Sequence, residues 1–352
     1  MSSRRYCGDD TFDIVCLVTN PLRYDKKGQP IITPARKIAA EFNIPVSDKE
    51  DVHSQEFFDF LFLIRPDLLF VCDFGQILPQ KALAGSILGG INLHGSLLPR
   101  LRGAAPVHWA IISGEQYTGV SIIHMTPKVD AGPVIAQSPP IPIGARETVE
   151  ELEERLADYG AELVFDVALK MASNQTIKII EQLHGKASKA PRFKKENGRV
   201  NWSGTSREIF NHYRAMQPWP RTFTNWIRED GSELCVILGL ISPLDNDLRE
   251  LIEEDYLQKE IVDPLLADAK MNNLADLLSE RYSQKTPERS LVQSKPAWWR
   301  PGVVIKAESG ELMIAASDGV VRIVEIQPTG KKMMPVKDFL LGYHIKTGEH
   351  FE

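Results

Sequence analysis

A chain of 352 residues with 43% hydrophobic and 25% charged side chains can bury a sizeable core, and its length suggests about two domains. Its most apolar stretch, residues 57–71, is broken by Asp59, Arg65, Pro66 and Asp67, which excludes a run of the roughly 20 apolar residues that crosses a bilayer. The net charge of −6 does not exclude a nucleic-acid partner, because residues 245–268 hold nine acids against Arg249 and Lys259, a local −7 that leaves the rest at +1.

Arg4 and Arg5 have no apolar run behind them, so no secretory signal is predicted. Cys7, Cys16, Cys72 and Cys235 are scattered without metal-ligand spacing. That usage fits a reducing compartment, and the expectation is a cytoplasmic protein without a structural metal, with an organelle matrix also open.

Residues 14–19 (IVCLVT) and 68–72 (LLFVC) are short apolar runs of the kind that form strands covered on both faces. Between them, Thr33 caps a predicted helix that has Pro34 at its first position and runs to about Phe42, and a second helix over residues 55–64 stops before Pro66. Strand, helix, strand implies parallel pairing. Residues 90–93, 119–125 and 134–136 add strand candidates, and Thr148-Val149-Glu150-Glu151 opens a long helix with a capping box. The expected fold is α/β, an open Rossmann-like, mostly parallel sheet over residues 1–184.

A basic linker is expected at 185–205, where Lys186, Lys189, Arg192, Lys194, Lys195 and Arg199 face only Glu196. Beyond it, residues 206–352 read as a small β-barrel of the OB type. The pattern is a helix at 207–216, strands at 234–240, 303–307, 312–315 and 320–326, and a final helix at 336–341. The charged, helix-prone stretch 245–294 reads as an insertion.

The chemistry lies in residues 92–106 (NLHGSLLPRLRGAAP), which follow a predicted strand. Ligands of open α/β sheets bind beyond the carboxyl ends of the strands. Asn92 and His94 are two apart, so in extended backbone they leave the same face. Asp130 follows the next predicted strand and is placed to orient His94. Taken singly, each has a plain reading, a satisfied structural histidine and two turn residues. Together they supply an amide donor for a developing oxyanion and an imidazole that Asp130 is expected to hold in its charged form. An amine nucleophile needs no strong base, and no metal is called for.

This block resembles the signature of the folate-dependent formyltransferases, and the spacing from His94 to Asp130 fits that family's Asn, His, Asp triad. The resemblance implies that Asn92, His94 and Asp130 are catalytic. It implies that Ser96, Leu97, Leu98 and Pro99 bind the reduced folate, with Phe74, Gly75, Ile77 and Leu78, from the matching segment FGQILP, forming a second wall of the pocket. Residues 197–202 (NGRVNW), 217–220 (QPWP) and 327–332 (QPTGKK) resemble the family's C-terminal barrel, so the likeness runs over about residues 12–240 and from 301 onward. The implied reaction takes the formyl group of 10-formyltetrahydrofolate to the amino group carried by charged initiator tRNA, with the chain acting as a monomer. Arg23, Lys26 and Lys27 match a loop that meets the tRNA acceptor stem. A nucleotide-sugar formyltransferase, a formyl-folate hydrolase and a non-catalytic folate- or tRNA-binding remnant stay open.

Three departures stand out. Family members open with a strand, a glycine-containing turn and a helix ahead of the stretch matching residues 14–19. Only twelve or so residues precede it here, so that element is expected to be lacking and a sheet edge exposed. Asp73 stands where the family has a small residue, and the 245–294 insertion has no counterpart in it.

Overall fold

The computed structural model describes residues 11–48, 51–244 and 299–352. The 245–294 insertion lies outside the described residues. The chain divides into two compact units, the first comprising Met1–Ala110, Glu115–Pro142 and Glu150–Phe193, the second Ile111–Gly114, Ile143–Val149 and Lys194–Glu352. The basic stretch 185–205 is shared between them, with its residues up to Phe193 in the first.

In chain order the first unit carries β1 (Leu17–Thr19), β2 (Arg23–Tyr24), β3 (Pro30–Ile31), α1 (Pro34–Glu41), β4 (Val46–Asp48), α2 (Gln55–Ile64), β5 (Leu69–Val71), α3 (Gln80–Leu83) and β6 (Gly90–His94). Then come α4 (Pro106–Ile112), β7 (Tyr117–Thr118), β8 (Ser121–His124), β9 (Val134–Gln137), β10 (Ile141–Pro142) and α5 (Val149–Ala172). Capping fixes the early helices. Thr33 Oγ1 accepts from the Arg36 N–H at 3.4 Å, and Ser54 Oγ accepts from the Phe57 N–H at 3.1 Å. Helix α2 ends with Arg65 in the left-handed region (φ 45°), ahead of Pro66.

The strands give two parallel pairs, β1 with β4 and β5 with β6, and β6 continues through antiparallel neighbours β8 and β9. Apolar faces explain this layering. Phe57 and Leu61 of α2 pack with Leu69, Val71, Leu78, Ala82 and Leu83, while Val167 of α5 packs with Ile91, Ile122 and Ile135. The expectation that both early strands are covered on both faces is corrected. Leu69 and Val71 turn toward α2, so the pleat directs Phe70 the other way, where it is 50% exposed; Ile14 and Val15 are exposed as well.

The second unit begins with α6 (Ser206–Ala215), capped by the reciprocal Thr205 and Glu208 bonds. Strands β11 (Phe223–Ile227), β12 (Glu233–Leu244), β13 (Val304–Glu308), β14 (Glu311–Ala315), β15 (Val320–Pro328) and β16 (Met334–Pro335) follow, then α7 (Val336–Tyr343) and β17 (His350–Phe351). Their order is β13-β14-β15-β12-β11-β17 with β16 beside β15. The Val303–His350 bridge, with the Gly348 N–H on the Val304 carbonyl at 2.9 Å, brings the last strand back to the first and closes an antiparallel barrel. Phe339 of α7 plugs it. The ring is fully buried, edge-on to Trp226 at 5.9 Å and stacked on Tyr343 at 4.6 Å. Phe339→Ala is therefore expected to cost about 3–5 kcal/mol in a urea unfolding curve, and a loss below about 1 kcal/mol would show that the barrel collapses around the cavity.

Candidate active site

Strand β6 presents the chemistry because its alternation is split between two environments. Ile91 and Leu93 enter the core beneath α5, where Gly160 allows the approach: a Cβ there would lie 2.7 Å from Leu93 Cδ2. Asn92 and His94 therefore leave the opposite face, at the carboxyl end of the parallel pair β5–β6. Asp130 comes to them from the turn after β8. It is a non-glycine residue at φ 48°, a sparsely populated conformation that surrounding bonds must hold.

The three side chains meet through Asp130. Its Oδ2 lies 3.6 Å from His94 Nδ1 and accepts the Gly103 N–H at 2.8 Å, while its Oδ1 accepts from Asn92 Nδ2 at 3.4 Å. His94 Nε2 donates to the Leu101 carbonyl at 2.9 Å. The His94 side chain is 5% exposed, and burial pulls its pKa below the ordinary histidine value against the opposing pull of Asp130 and the Leu101 carbonyl. Asp130 thus pulls toward the charged ring, in the expected direction, while the loss of water around the buried ring pulls the other way and is the larger of the two. Its Nε2 carries a proton toward the Leu101 carbonyl, and its Nδ1 faces the Asp130 carboxylate.

The loop that carries Leu101 and Gly103 is held from a distant stretch of sequence. The Leu101 N–H donates to Ser188 Oγ at 2.8 Å, the Arg102 N–H to the Ser188 carbonyl at 2.8 Å, and the Ala190 N–H to the Arg102 carbonyl at 2.7 Å. Gly103 makes room for this pairing. At φ 130°, a Cβ there would stand 2.4 Å from the Ala190 carbonyl oxygen. Gln182, 6% exposed, donates from Nε2 to the carbonyls of Asp130 and Gly132 at 2.9 and 2.6 Å and accepts from Arg102 Nε and Nη2 at 3.0 and 2.6 Å. None of Gln182, Ser188 or Ala190 emerges from sequence reasoning, because the stretch around them has no hydrophobic period and no capping pattern.

The residues expected to bind folate fall into two groups. Ser96 and Leu98 are buried, Ser96 Oγ donating to the Arg100 carbonyl at 2.7 Å, and the Leu98–Pro99 peptide is cis. Leu97 presses on Gly119, where a Cβ would be 2.6 Å away. Leu97 and Pro99 are the partly exposed members of this segment. Phe74 and Leu78 belong to the α2 cluster, Ile77 is 52% exposed, and Gly75 has φ 81° at the turn after β5, at the same strand end as Asn92. Asn20 Nδ2 donates to the Phe74 carbonyl at 3.2 Å, tying this turn to the end of β1. Asp73 lies in the electrostatic reach of Arg192 and Glu153. The carboxyl of Glu153 is raised to about 7 by burial and by the charges of Asp73 and Glu150. Arg23, Lys26 and Lys27 sit on the exposed β2–β3 hairpin, whose turn is set by Asp25 Oδ1 accepting the N–H groups of Lys27 and Gln29 at 2.8 Å. They are not part of the triad cluster. Among the described residues no group of three or more His, Cys, Asp or Glu side chains is placed to hold a metal, and no helix is long and apolar enough to cross a membrane.

Comparison with known proteins extends over both units. A formyl transferase family model matches residues 6–168, and a model of the formyl transferase C-terminal domain matches residues 192–239 and 275–344. The chain is 36% identical to the methionyl-tRNA formyltransferase of Rhodopirellula baltica over 92% of this chain and 83% of that one. It is 30% identical to the enzyme of the same name from Bacillus velezensis, over 97% and 90%. Among solved structures, HypX from Aquifex aeolicus in complex with tetrahydrofolic acid aligns with a TM-score of 0.53 at 17% identity, covering 92% of this chain and 46% of that one, so the chain spans about half of that protein. WlaRD, a sugar 3N-formyl transferase, aligns with a TM-score of 0.52 at 16% identity over 94% of each chain. At such identities these likenesses concern the fold. With both family models matched in order and relatives at 30–36% identity over nearly the whole chain, the protein belongs to the formyltransferase family, in the group of the methionyl-tRNA formyltransferases.

Proposed function

We infer that the chain transfers a formyl group from 10-formyltetrahydrofolate to the α-amino group of methionyl-tRNA, with Asn92, His94 and Asp130 as its catalytic groups. The observation that carries this reading is the convergence of those three side chains at a strand end in a chain that matches methionyl-tRNA formyltransferases along most of its length. Residues 1–184 would then be the catalytic domain, 185–205 the basic connection and 206–352 the barrel domain. The site of action is the cytoplasm or an organelle matrix, and charged initiator tRNA and reduced folate are the partners of a monomer.

In this scheme the amine nitrogen attacks the formyl carbon, forming a C–N bond and an oxyanion. Asn92 Nδ2 leaves its long 3.4 Å hydrogen bond to Asp130 to donate to that oxygen. The His94–Asp130 pair takes up the proton the amine releases. The folate nitrogen departs as its bond to the formyl carbon breaks, and the proton passes to it. Ser96, Leu97, Leu98 and Pro99, opposite Phe74, Gly75, Ile77 and Leu78, form the walls that hold the folate.

A formylation assay with charged initiator tRNA and 10-formyltetrahydrofolate, run beside a nucleotide-linked amino sugar, tests the reading. Transfer to the sugar alone would overturn it. Asn92→Ala is expected to lower kcat by about 10²–10³. His94→Ala and Asp130→Ala are expected to lower kcat far more than they raise the KM for folate. Because the His94 pKa is lowered, kcat/KM is expected to rise with pH only as the amine deprotonates near about pH 8, with any decline through His94 confined below about pH 6.5. A limb at or above that value in wild type that vanishes in His94→Ala would contradict a lowered His94 pKa.

The hairpin generates a second expectation. Replacing Arg23, Lys26 and Lys27 together with Ala should weaken tRNA binding and flatten its salt dependence, by up to about 0.9 in log-log slope for each phosphate no longer neutralised. Unchanged affinity and slope would leave the hairpin a solvated connection.

A further inference from the structure

The reactive end of Asp130 is anchored by Asn92, His94 and Gly103, but these bonds do not explain what keeps its backbone in the left-handed conformation. Ile180 pairs with Val134 in both directions, at 2.8 and 2.9 Å, which lays the segment that follows along the turn at residues 130–133. Two residues on, the buried Gln182 amide meets that turn with its full bonding capacity in use. Both donor directions of Nε2 are taken by the carbonyls of Asp130 and Gly132, and Oε1 takes two N–H groups of Arg102. Gly132 has no freedom to adjust, since a Cβ there would fall 1.8 Å from the His124 carbonyl oxygen. On its other side, Arg102 belongs to the loop whose Leu101 carbonyl accepts from His94 Nε2 and whose Gly103 N–H donates to Asp130 Oδ2. A single neutral amide thus bridges the turn that aims Asp130 and the loop that aims His94.

We propose that Gln182 is a positioning residue for the transfer, a two-sided brace that fixes Asp130 against His94 by bonding the Asp130 and Gly132 carbonyls and Arg102 at once. The proposal rests on the reading of Asn92, His94 and Asp130 as the catalytic groups. No other neutral side chain of this length donates twice and accepts twice. Glutamate keeps the shape and the bonds to Arg102 but sets an oxygen against two carbonyl oxygens, so the turn must shift while the loop stays.

The test uses the full chain carrying Gln182→Glu, with Gln182→Met as an uncharged second variant should the first fail to fold. The expected result is a fall in kcat on the order of 10²-fold for Gln182→Glu, as misplacement by about 1 Å produces, with the KM of both substrates within about two-fold of wild type. Adding Asp130→Ala should cost nothing further beyond Asp130→Ala alone, because the brace acts through that carboxylate. Wild-type kcat in both variants would overturn the proposal, and so would losses that multiply in the double variant or a kcat that falls only together with KM and Tm. Failure of the underlying reading shows differently, as a wild-type chain that formylates no aminoacyl-tRNA. The titration of His94 followed by NMR then decides: with Asp130 displaced its midpoint moves further down in the Gln182 variants, and an unmoved His94 midpoint rejects the brace.

Discussion

The carboxylate of Asp130 has to satisfy three neighbours at once, and the geometry of the first unit follows from that requirement. One oxygen accepts the Gly103 N–H and faces His94, and the other accepts the Asn92 amide. A carboxylate 13% exposed is tolerable only with partners that replace the water it has given up. Those partners come from a strand and a loop, and the carboxylate itself from a separate turn, so the three elements must be brought to within 2.8–3.6 Å of one another at this group. The alternation of β6 delivers Asn92 and His94, the left-handed turn delivers Asp130, and the loop delivers Gly103.

Delivery of the loop depends in turn on close backbone approach. Residues 188–190 pair with residues 101–105 as a short ladder, which a side chain at Gly103 would block by meeting the Ala190 carbonyl at 2.4 Å. The stretch that continues into the second unit therefore has a role before it gets there: its first part closes the wall behind His94. A segment read from its charge and lack of period as a basic linker has backbone hydrogen bonds committed to the site.

How far the sequence discloses this differs from feature to feature, for physical reasons. Helices α1 and α2 are legible to within about a residue because Thr33, Pro34 and Pro66 act locally, through a cap and fixed φ angles. Most barrel strands are legible from alternation, whereas β11, with its polar Thr224 and Asn225, escapes a pattern that looks for apolar runs. The Asn92, His94 and Asp130 cluster is foreseeable from strand-end placement and from family resemblance. The pull of desolvation on His94 is not, because it depends on the packing around the ring rather than on neighbours in sequence. Gln182 is invisible for the same reason: its meaning lies in bonds to positions some 50 and 80 residues away, and no local period records such bonds.

The burial of His94 also bears on which nucleophile the site can use. A buried imidazole with a lowered pKa is a poor base, and water or a hydroxyl must surrender a proton to become reactive. An α-amino group, with a pKa near about 8, is partly neutral at physiological pH and carries its lone pair without help. It needs an acceptor only after attack, when the nitrogen has become acidic, and at that stage Asp130 at 3.6 Å offsets the charge that develops on the ring. By this argument the desolvation of His94, set against its pairing with Asp130, suits an amine acceptor better than water.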